Sequence, residues 1–339
     1  MFNNTLGIDF GTDTIKICDR KNRITVCEKN MIAIREGNRI IAIGDQAYDM
    51  YEKTPMDVKA TCPMKNGVIA EARNAEIVLS YLLKKHKRLL GGKPTVFIAV
   101  PRDISAVEKR AYYNVLNGTV HARKILLVDK GIADNIGVGV SMASPRASML
   151  VNLGAGTTEI SVVAGGKVLL SRTLSYGGCV LDEEIVKMVR RIYHLNISSK
   201  TATRLKTHLA YVGEGIPASF PVMGISAVSG LPEQAEISSE SVSAAITDTI
   251  NYIVSELRGI LDRLPPQFYH DIMEAGLCLC GGSSLIRNLS EYFQYKLGIP
   301  ISIVREPGLT TLRGIQQIMS VPELSDYTYS LKDLTGSVI

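Results

Sequence analysis

The chain has 339 residues, 46% of them hydrophobic and 21% charged, with 38 basic against 33 acidic side chains for a formal charge of +5. That length points to two domains or more, and the composition excludes a disordered chain. The positive excess is small and scattered, with no long basic run, which argues against a nucleic-acid partner.

In chain order, the first 45 residues read as β: LGIDFG, TIKICDR, ITVCEKNMIAI and RIIAIG are short, β-branched-rich runs between polar turns. NAEIVLSYLLKKHKRLL has helical spacing, and TVFIAVP is a continuous apolar run ended by Pro101, as in a buried parallel strand. SAVEKRAYYNVLNG opens with Ser105 and carries Glu108 three residues on, a capping box, with a stop at Gly118. KILLVD is another buried strand, and GIADNIGVGV a glycine-lined helix or turn. SMLVNLG, TEISVVAGG and KVLLSRTLSYGG follow as strands, then DEEIVKMVRRIYH as a helix with acids in its first turn. Residues 242 to 264 form a long amphipathic helix stopped by Pro265 and Pro266. LCLCGGSSLIRNL is strand, glycine turn and helix start, IPISIV is a last strand, and YTYSLKDLTGSVI has no periodicity and reads as a tail.

Six cysteines (Cys18, Cys27, Cys62, Cys179, Cys278, Cys280) form no C-x-x-C pair and have no histidine at metal spacing. Most are embedded in apolar runs and read as reduced thiols behaving as small hydrophobes in a cytoplasmic protein. No signal peptide or membrane-spanning helix is expected, because no stretch approaches 18 uninterrupted apolar residues.

LGIDFGTDTIKI (6–17) and VNLGAGTTEI (151–160) have nearly the same form half a chain apart, which marks two tandem α/β halves. In Gly11–Thr14 and Gly154–Thr158, glycine permits close backbone approach to a ligand, and successive N–H groups make anion-binding concavities. CGGSSL (Cys280–Leu285) is a third such turn, at a helix start suited to a nucleotide.

With those turns, D-F-G-T (Asp9–Thr12), G-A-G-T-T-E (Gly154–Glu159) and C-G-G-S-S-L (Cys280–Leu285) resemble the two phosphate motifs and the adenosine motif of the superfamily of actin, Hsp70 chaperones and sugar kinases. CPMKNGVIAEARNAEIVLSYLL (62–83), AIGDQAYDM (42–50), VFIAVPRDISAVEKRA (96–111), YGGCVLDEEIV (176–186), LIRNL (285–289) and EPGLTTLRG (306–314) resemble the MreB family of bacterial actins, over about residues 6 to 320. The resemblance implies an α/β fold of duplicated actin-like (ribonuclease H-like) domains, with four subdomains and a nucleotide cleft between the halves. Residues 1–145 would form the first half, with a small insertion at about 30–65 and the final helix, about 308–320, returning to it. Residues 146–307 would form the second, with a small upper subdomain at about 178–238, and 321–339 a tail.

It further implies ATP with Mg²⁺ as cofactors. The nucleotide-binding residues would be Asp9, Gly11, Thr12, Asp13, Thr14, Gly154, Ala155, Gly156, Thr157, Thr203, Lys206, Gly281, Gly282, Ser283 and Ser284, with Asp9 reaching the metal through water. Head-to-tail filaments on the inner face of the cell membrane would follow, with other shape-determining or cell-wall synthesis proteins as partners and Leu89 and Leu90, amid the lysines of KKHKRLLGGKP, as membrane contacts.

The chain departs from the family pattern at the acids. Asp129, Lys130 and Gly131 stand where Glu-Glu-Pro is usual, so Lys130 falls where a glutamate orients the attacking water. Asn152 falls where an aspartate helps hold the metal's water shell, and an amide binds Mg²⁺ more weakly. Thr203 replaces a glutamate on the adenosine side. Two alternatives stay open: Lys130 donates to a γ-phosphate, or Asp129 takes the polarising role one place early. The expected function is a nucleotide-binding, filament-forming cytoskeletal protein for cell shape with weak or absent hydrolysis. The alternative is a small-molecule kinase or chaperone-type ATPase of the same superfamily.

Overall fold

The structure is a computed structural model and describes residues 5–19, 21, 23–51, 57–86 and 92–331. The chain runs β1 (Thr5–Phe10), β2 (Thr14–Asp19), β3 (Ile24–Lys29), β4 (Ile32–Arg35), β5 (Arg39–Ile43), α1 (Asp45–Met50), β6 (Val58–Thr61), β7 (Met64–Lys65), β8 (Val68–Ile69) and α2 (Ala72–Lys85). It continues through β9 (Thr95–Val100), α3 (Ala106–Val120), β10 (Lys124–Asp129), α4 (Lys130–Gly137), β11 (Ser148–Leu153), β12 (Thr158–Ala164), β13 (Lys167–Leu174), α5 (Gly178–Tyr193), β14 (Leu195–Asn196) and α6 (Ser199–Leu209). Last come β15 (Ser219–Ser226), β16 (Pro232–Ser238), α7 (Ser239–Leu261), α8 (Pro266–Ala275), β17 (Leu277–Cys280), α9 (Leu289–Leu297), β18 (Ile301–Ile303), α10 (Thr310–Ser320) and β19 (Thr328–Tyr329). Two compact units result: Met1–Pro145 with Glu159–Thr173 and Gly308–Ile339, and Arg146–Thr158 with Leu174–Pro307.

The first unit is organised by a six-stranded sheet in the order β19-β10-β9-β1-β2-β3. Its centre, β1-β9-β10, is parallel. Alternation sends Leu6, Ile8, Phe10, Val96, Ile98 and Val100 to one face, where Val78, Leu79, Leu82 and Leu83 of α2 and Tyr112, Val115 and Leu116 of α3 cover them. Phe97, Ala99, Leu126 and Val128 go to the other, against Ile132, Ala133 and Ile136 of α4 and Ile315 and Ile318 of α10. Burial on both sides explains why these strands read as unbroken apolar runs. The inserted sheet, β5-β4-β6, has a small core of its own around Met31, Ala33, Ala42, Ala47 and Val58.

In the second unit β11, β17 and β18 pair in parallel, and β14-β15-β16 form a small antiparallel sheet. α7, capped by Ser238 through the Ser241 N–H, ends ahead of Pro265 as the sequence suggests.

Three local expectations need correction. The α3 capping box forms, but the helix passes Gly118 and ends at His121 in the left-handed region, since an interior glycine weakens a helix without ending it. α5 starts at Gly178, so Asp182 and its acidic neighbours miss the first turn; the Gly178 and Cys179 N–H groups already bond the Gly154 and Ala155 carbonyls, at 2.9 and 2.8 Å. The C-terminal stretch does not trail as a tail throughout. Thr328 and Tyr329 pair with Val128 and Leu127, and the Tyr329 hydroxyl donates to Asp129 at 3.0 Å.

α4 and α10 cross at two glycines. A methyl group on Gly314 would fall on the Ala133 carbonyl, and one on Gly137 on that of Thr310. The buried Thr311 hydroxyl donates to Asp134 at 2.5 Å across the same contact. Gly314→Ala should therefore lower stability by about 1–3 kcal/mol through overpacking. Gly259→Ala, with open space around its site in α7, should gain about 0.5–1 kcal/mol. Urea unfolding midpoints that move the same way for both would refute this reading of the crossing.

Candidate functional site

β1 sends its apolar side chains into the α2/α3 core and Asp9 to the other face. Asp9 is buried and lies opposite Lys16 in the β1–β2 register, accepting its ammonium at 2.9 Å. The turn that follows has three successive carbonyls held by donors. Gly11 O accepts from Asn30 Nδ2 at 2.9 Å, Thr12 O from Cys62 Sγ at 3.1 Å, and Asp13 O from the Asn30 N–H at 2.9 Å. In a trans peptide the carbonyl and the next N–H point oppositely, so the N–H groups of Thr12, Asp13 and Thr14 are turned away from these donors. Gly11 leaves no room for a Cβ, which would stand 2.7 Å from the Thr14 carbonyl.

Asp13 accepts the Lys29 ammonium at 2.8 Å on both oxygens and the Thr14 hydroxyl at 2.7 Å. Burial pushes its carboxyl upward, but Lys29 outweighs that and holds it below the usual carboxylate value.

In the second unit the Gly154–Thr157 turn repeats the device with other donors. Gly154 O accepts from the Gly178 N–H at 2.9 Å and the Ser283 hydroxyl at 3.2 Å, and Ala155 O from the Cys179 N–H at 2.8 Å. The N-terminal donors of α5 are thus used to orient the turn, leaving the N–H groups of Ala155 and Gly156 directed away from α5. Gly177 is required by close approach: a Cβ there would meet the Ala155 carbonyl at 2.6 Å. Lys206 donates to Gly178 O at 2.7 Å and pairs with Asp182 at 2.9 Å, while Thr203 donates to Asp182 at 2.8 Å. Gly281, at φ 80°, packs against the Asn152 side chain and the Leu153 carbonyl. Ser284 is fully buried and donates to Gly281 O at 2.7 Å, so its part is to shape the third turn. Gly282 has open space where a Cβ would stand.

Lys130, the first residue of α4, pairs with Glu159 of β12 at 2.5 Å. A cation there opposes the helix dipole. Burial pulls its pKa down, but the carboxylates of Glu159, Asp134 and Asp9 outweigh burial and hold it well above the ordinary lysine value. Both oxygens of Asp129 are engaged, one by Arg102 at 2.6 Å and the other by Tyr329 at 3.0 Å. That engagement weighs against Asp129 as a water-polarising base. The Lys130–Glu159 pair likewise weighs against a Lys130 free to reach phosphate.

Sequence reasoning assigns no site role to Lys16, Asn30 or Asp182, places Glu159 only as the end of the G-A-G-T-T-E motif, and groups Cys62 with the other reduced thiols. Only the position of Lys16, opposite Asp9 across a tight hairpin, carried a usable signal. Leu89 and Leu90 lie outside the described residues. Among the described residues no group of three or more His, Cys, Asp or Glu side chains could hold a metal ion, and no helix is long and apolar enough to cross a membrane.

A family model described as MreB/Mbl protein matches residues 3–326. The cell shape-determining protein MreB of Escherichia coli K12 is 32% identical over 323 residues, 93% of this chain and 92% of that protein. The crystal structure of MreB5 of Spiroplasma citri, solved with ADP and with AMPPNP, superposes with a TM-score of 0.91 at 26% identity, covering 96% of this chain and 98% of that one. MamK, solved as a double helical filament, shares the fold at a TM-score of 0.78 and 21% identity, covering 94% and 99%.

The Lys130–Glu159 pair can be tested by a double-mutant cycle. Glu159→Gln removes the nearest partner of a half-buried cation and should be destabilising, whereas Lys130→Met with Glu159→Gln should cost clearly less than the two single changes summed. Because the lysine pKa is raised, the cation's contribution is complete below the ordinary lysine value and lost only as pH climbs beyond it. Additive costs in urea melts, or a Lys130-dependent loss between neutral pH and pH 9, would show that the pair is not coupled.

Proposed function

The chain belongs to the MreB/Mbl family, and from that premise we propose that it is an actin-like, nucleotide-binding, filament-forming cytoskeletal protein of cell shape with weak or absent ATP hydrolysis. The observation that carries the hydrolytic part is the Lys130–Glu159 ion pair, which puts a fixed cation where a water-orienting acid is expected. The nucleotide part rests on the two turns whose carbonyls are held back at Gly11, Thr12 and Asp13 and at Gly154 and Ala155. Their N–H groups would donate to phosphate oxygens. Gly281 and Gly282 would border the nucleoside, and Ser283 and Ser284 would keep that turn in shape. The solved MreB5 relative binds ADP and AMPPNP, which supports this assignment.

Mg²⁺ fits the donor set only as a cation arriving on phosphate. The first turn offers one buried carboxylate, Asp9, already shared with Lys16, and the second an amide, Asn152. Mg²⁺ is commonly held by one or two carboxylates together with substrate phosphates and water. Asp9 would hold one of its waters, and the cation would neutralise charge on the phosphates.

The test is sedimentation with ATP, with ADP and without nucleotide, alongside phosphate release. Polymer should form while phosphate release stays slow. Lys130→Glu with Asn152→Asp should raise release by roughly 10²-fold, the scale of one restored positioning group. Release from the unaltered protein as fast as from that variant would sink the hydrolytic reading, and failure to polymerise under any of the three conditions the filament reading.

The filament would act at the inner face of the cell membrane, with Leu89 and Leu90 entering the bilayer. Each neighbouring lysine or arginine contributes about 1 kcal/mol near an anionic leaflet, and polymerisation multiplies weak contacts by avidity. Polymer should co-sediment with anionic liposomes, and Leu89→Ser with Leu90→Ser should abolish that. Equal pelleting of both proteins would place the anchor elsewhere.

A further inference from the structure

The inserted sheet begins and ends at the first glycine turn. Asn30 lies at the junction of β3 and β4, directly after Lys29 and two residues before Ile32, and Cys62 immediately follows β6. Between them they supply every donor described above for three successive carbonyls: Asn30 Nδ2 to Gly11 O at 2.9 Å, Cys62 Sγ to Thr12 O at 3.1 Å, and the Asn30 N–H to Asp13 O at 2.9 Å. Cys62 is itself oriented, because its sulfur accepts the Met64 N–H at 3.4 Å. Asn30 is completely buried, and its Oδ1 has no hydrogen-bond partner. An orphaned buried amide oxygen is a cost, and a small apolar side chain would avoid it. What the amide delivers at that price is the Nδ2–H bond to the turn.

We propose that Asn30 and Cys62 are positioning residues for nucleotide phosphate, holding the peptide planes of the Gly11–Asp13 turn so that its N–H groups face the ligand. The proposal rests on the nucleotide reading above. Each donor fixes one plane. Without the Cys62 thiol, the Thr12–Asp13 peptide is free to rotate and present a carbonyl, instead of an N–H, to an anion. Asn30 acts twice, through side chain and backbone, so it fixes the planes on either side of the one held by Cys62. Because both residues are the entry and exit of the inserted sheet, a displacement of that sheet transmits directly to the turn, and nucleotide in the turn resists the displacement.

The experiment is a titration of the full chain with a fluorescent, non-hydrolysable ATP analogue, with a thermal melt of each variant as a check on folding. Cys62→Ala should weaken binding about 3- to 10-fold, the scale of one lost hydrogen bond. Asn30→Asp, which offers a carboxylate to the Gly11 carbonyl in place of an N–H, should weaken it about 10-fold or more. Cys62→Ser keeps a donor and should stay within about 2-fold of the unaltered protein. If the unaltered protein binds and the alanine and aspartate variants bind as tightly, the proposal is overturned. If Cys62→Ser is as weak as Cys62→Ala, the thiol acts by packing and the donor role is likewise overturned. No binding by the unaltered, folded protein would instead overturn the nucleotide reading, and the proposal with it.

Discussion

The interaction on which the rest depends is the capture of backbone carbonyls behind two glycine turns. A peptide plane has two polar ends, and a turn recognises an anion only if the carbonyl end is occupied elsewhere. In the first unit the captors are an amide, a thiol and a backbone N–H. In the second they are the opening N–H groups of α5 and a serine hydroxyl. Different donors reach the same orientation, so the repeated phrase in the sequence is solved twice by independent means. In both cases the carbonyls are held by the protein's own donors, and a donor set ordered in this way need not spend binding energy on ordering itself.

Around the start of α4 the charges form a closed account. Lys130 is faced by Glu159, Asp134 and Asp9, and Asp9 is faced in turn by Lys16. Asp129, the residue that would ordinarily cap this helix, makes no side-chain capping bond and turns to Arg102 and Tyr329. A neutral or acidic residue at 130 would take from Glu159 and Asp134 the cation that faces them, so the lysine is part of a local balance and not an isolated substitution. The same balance ties the edge strand β19 to the head of α4 through a single phenol.

Much of this was legible in the sequence where the signal is local. The apolar runs of β1 and β9, the Ser105–Glu108 box and the stop at Pro265 each depend on neighbours a few residues away. The glycine turns were legible as turns, and their family resemblance gave the fold. What escaped depends on register or on distant pairing. Lys16 meets Asp9 only because the hairpin register sets them opposite. Glu159 meets Lys130, Asn30 and Cys62 meet the first turn, and Asp182 meets Lys206 across separations that periodicity does not encode. The late start assigned to α5 has the same origin: its first donors bond a loop more than twenty residues upstream. β19 went unseen because two residues carry no period at all.

The crossing of α4 with α10 bears on how the molecule is made. Gly137 lies in the first half of the chain and Gly314 near its end, and the face of the sheet that carries Phe97, Ala99, Leu126 and Val128 is covered only when both helices are present. Chains fold as they emerge, N-terminal parts first. The first unit therefore has to wait, with one apolar face covered only in part by α4, until the whole second unit has been synthesised and α10 can return. Closing a loop of that length costs only slightly more entropy than closing a short one, so the delay is one of time more than of free energy. During it the nascent chain exposes a hydrophobic sheet face that a chaperone would be suited to shield, and its assembly at the ribosome should be sensitive to the speed of translation through the second unit.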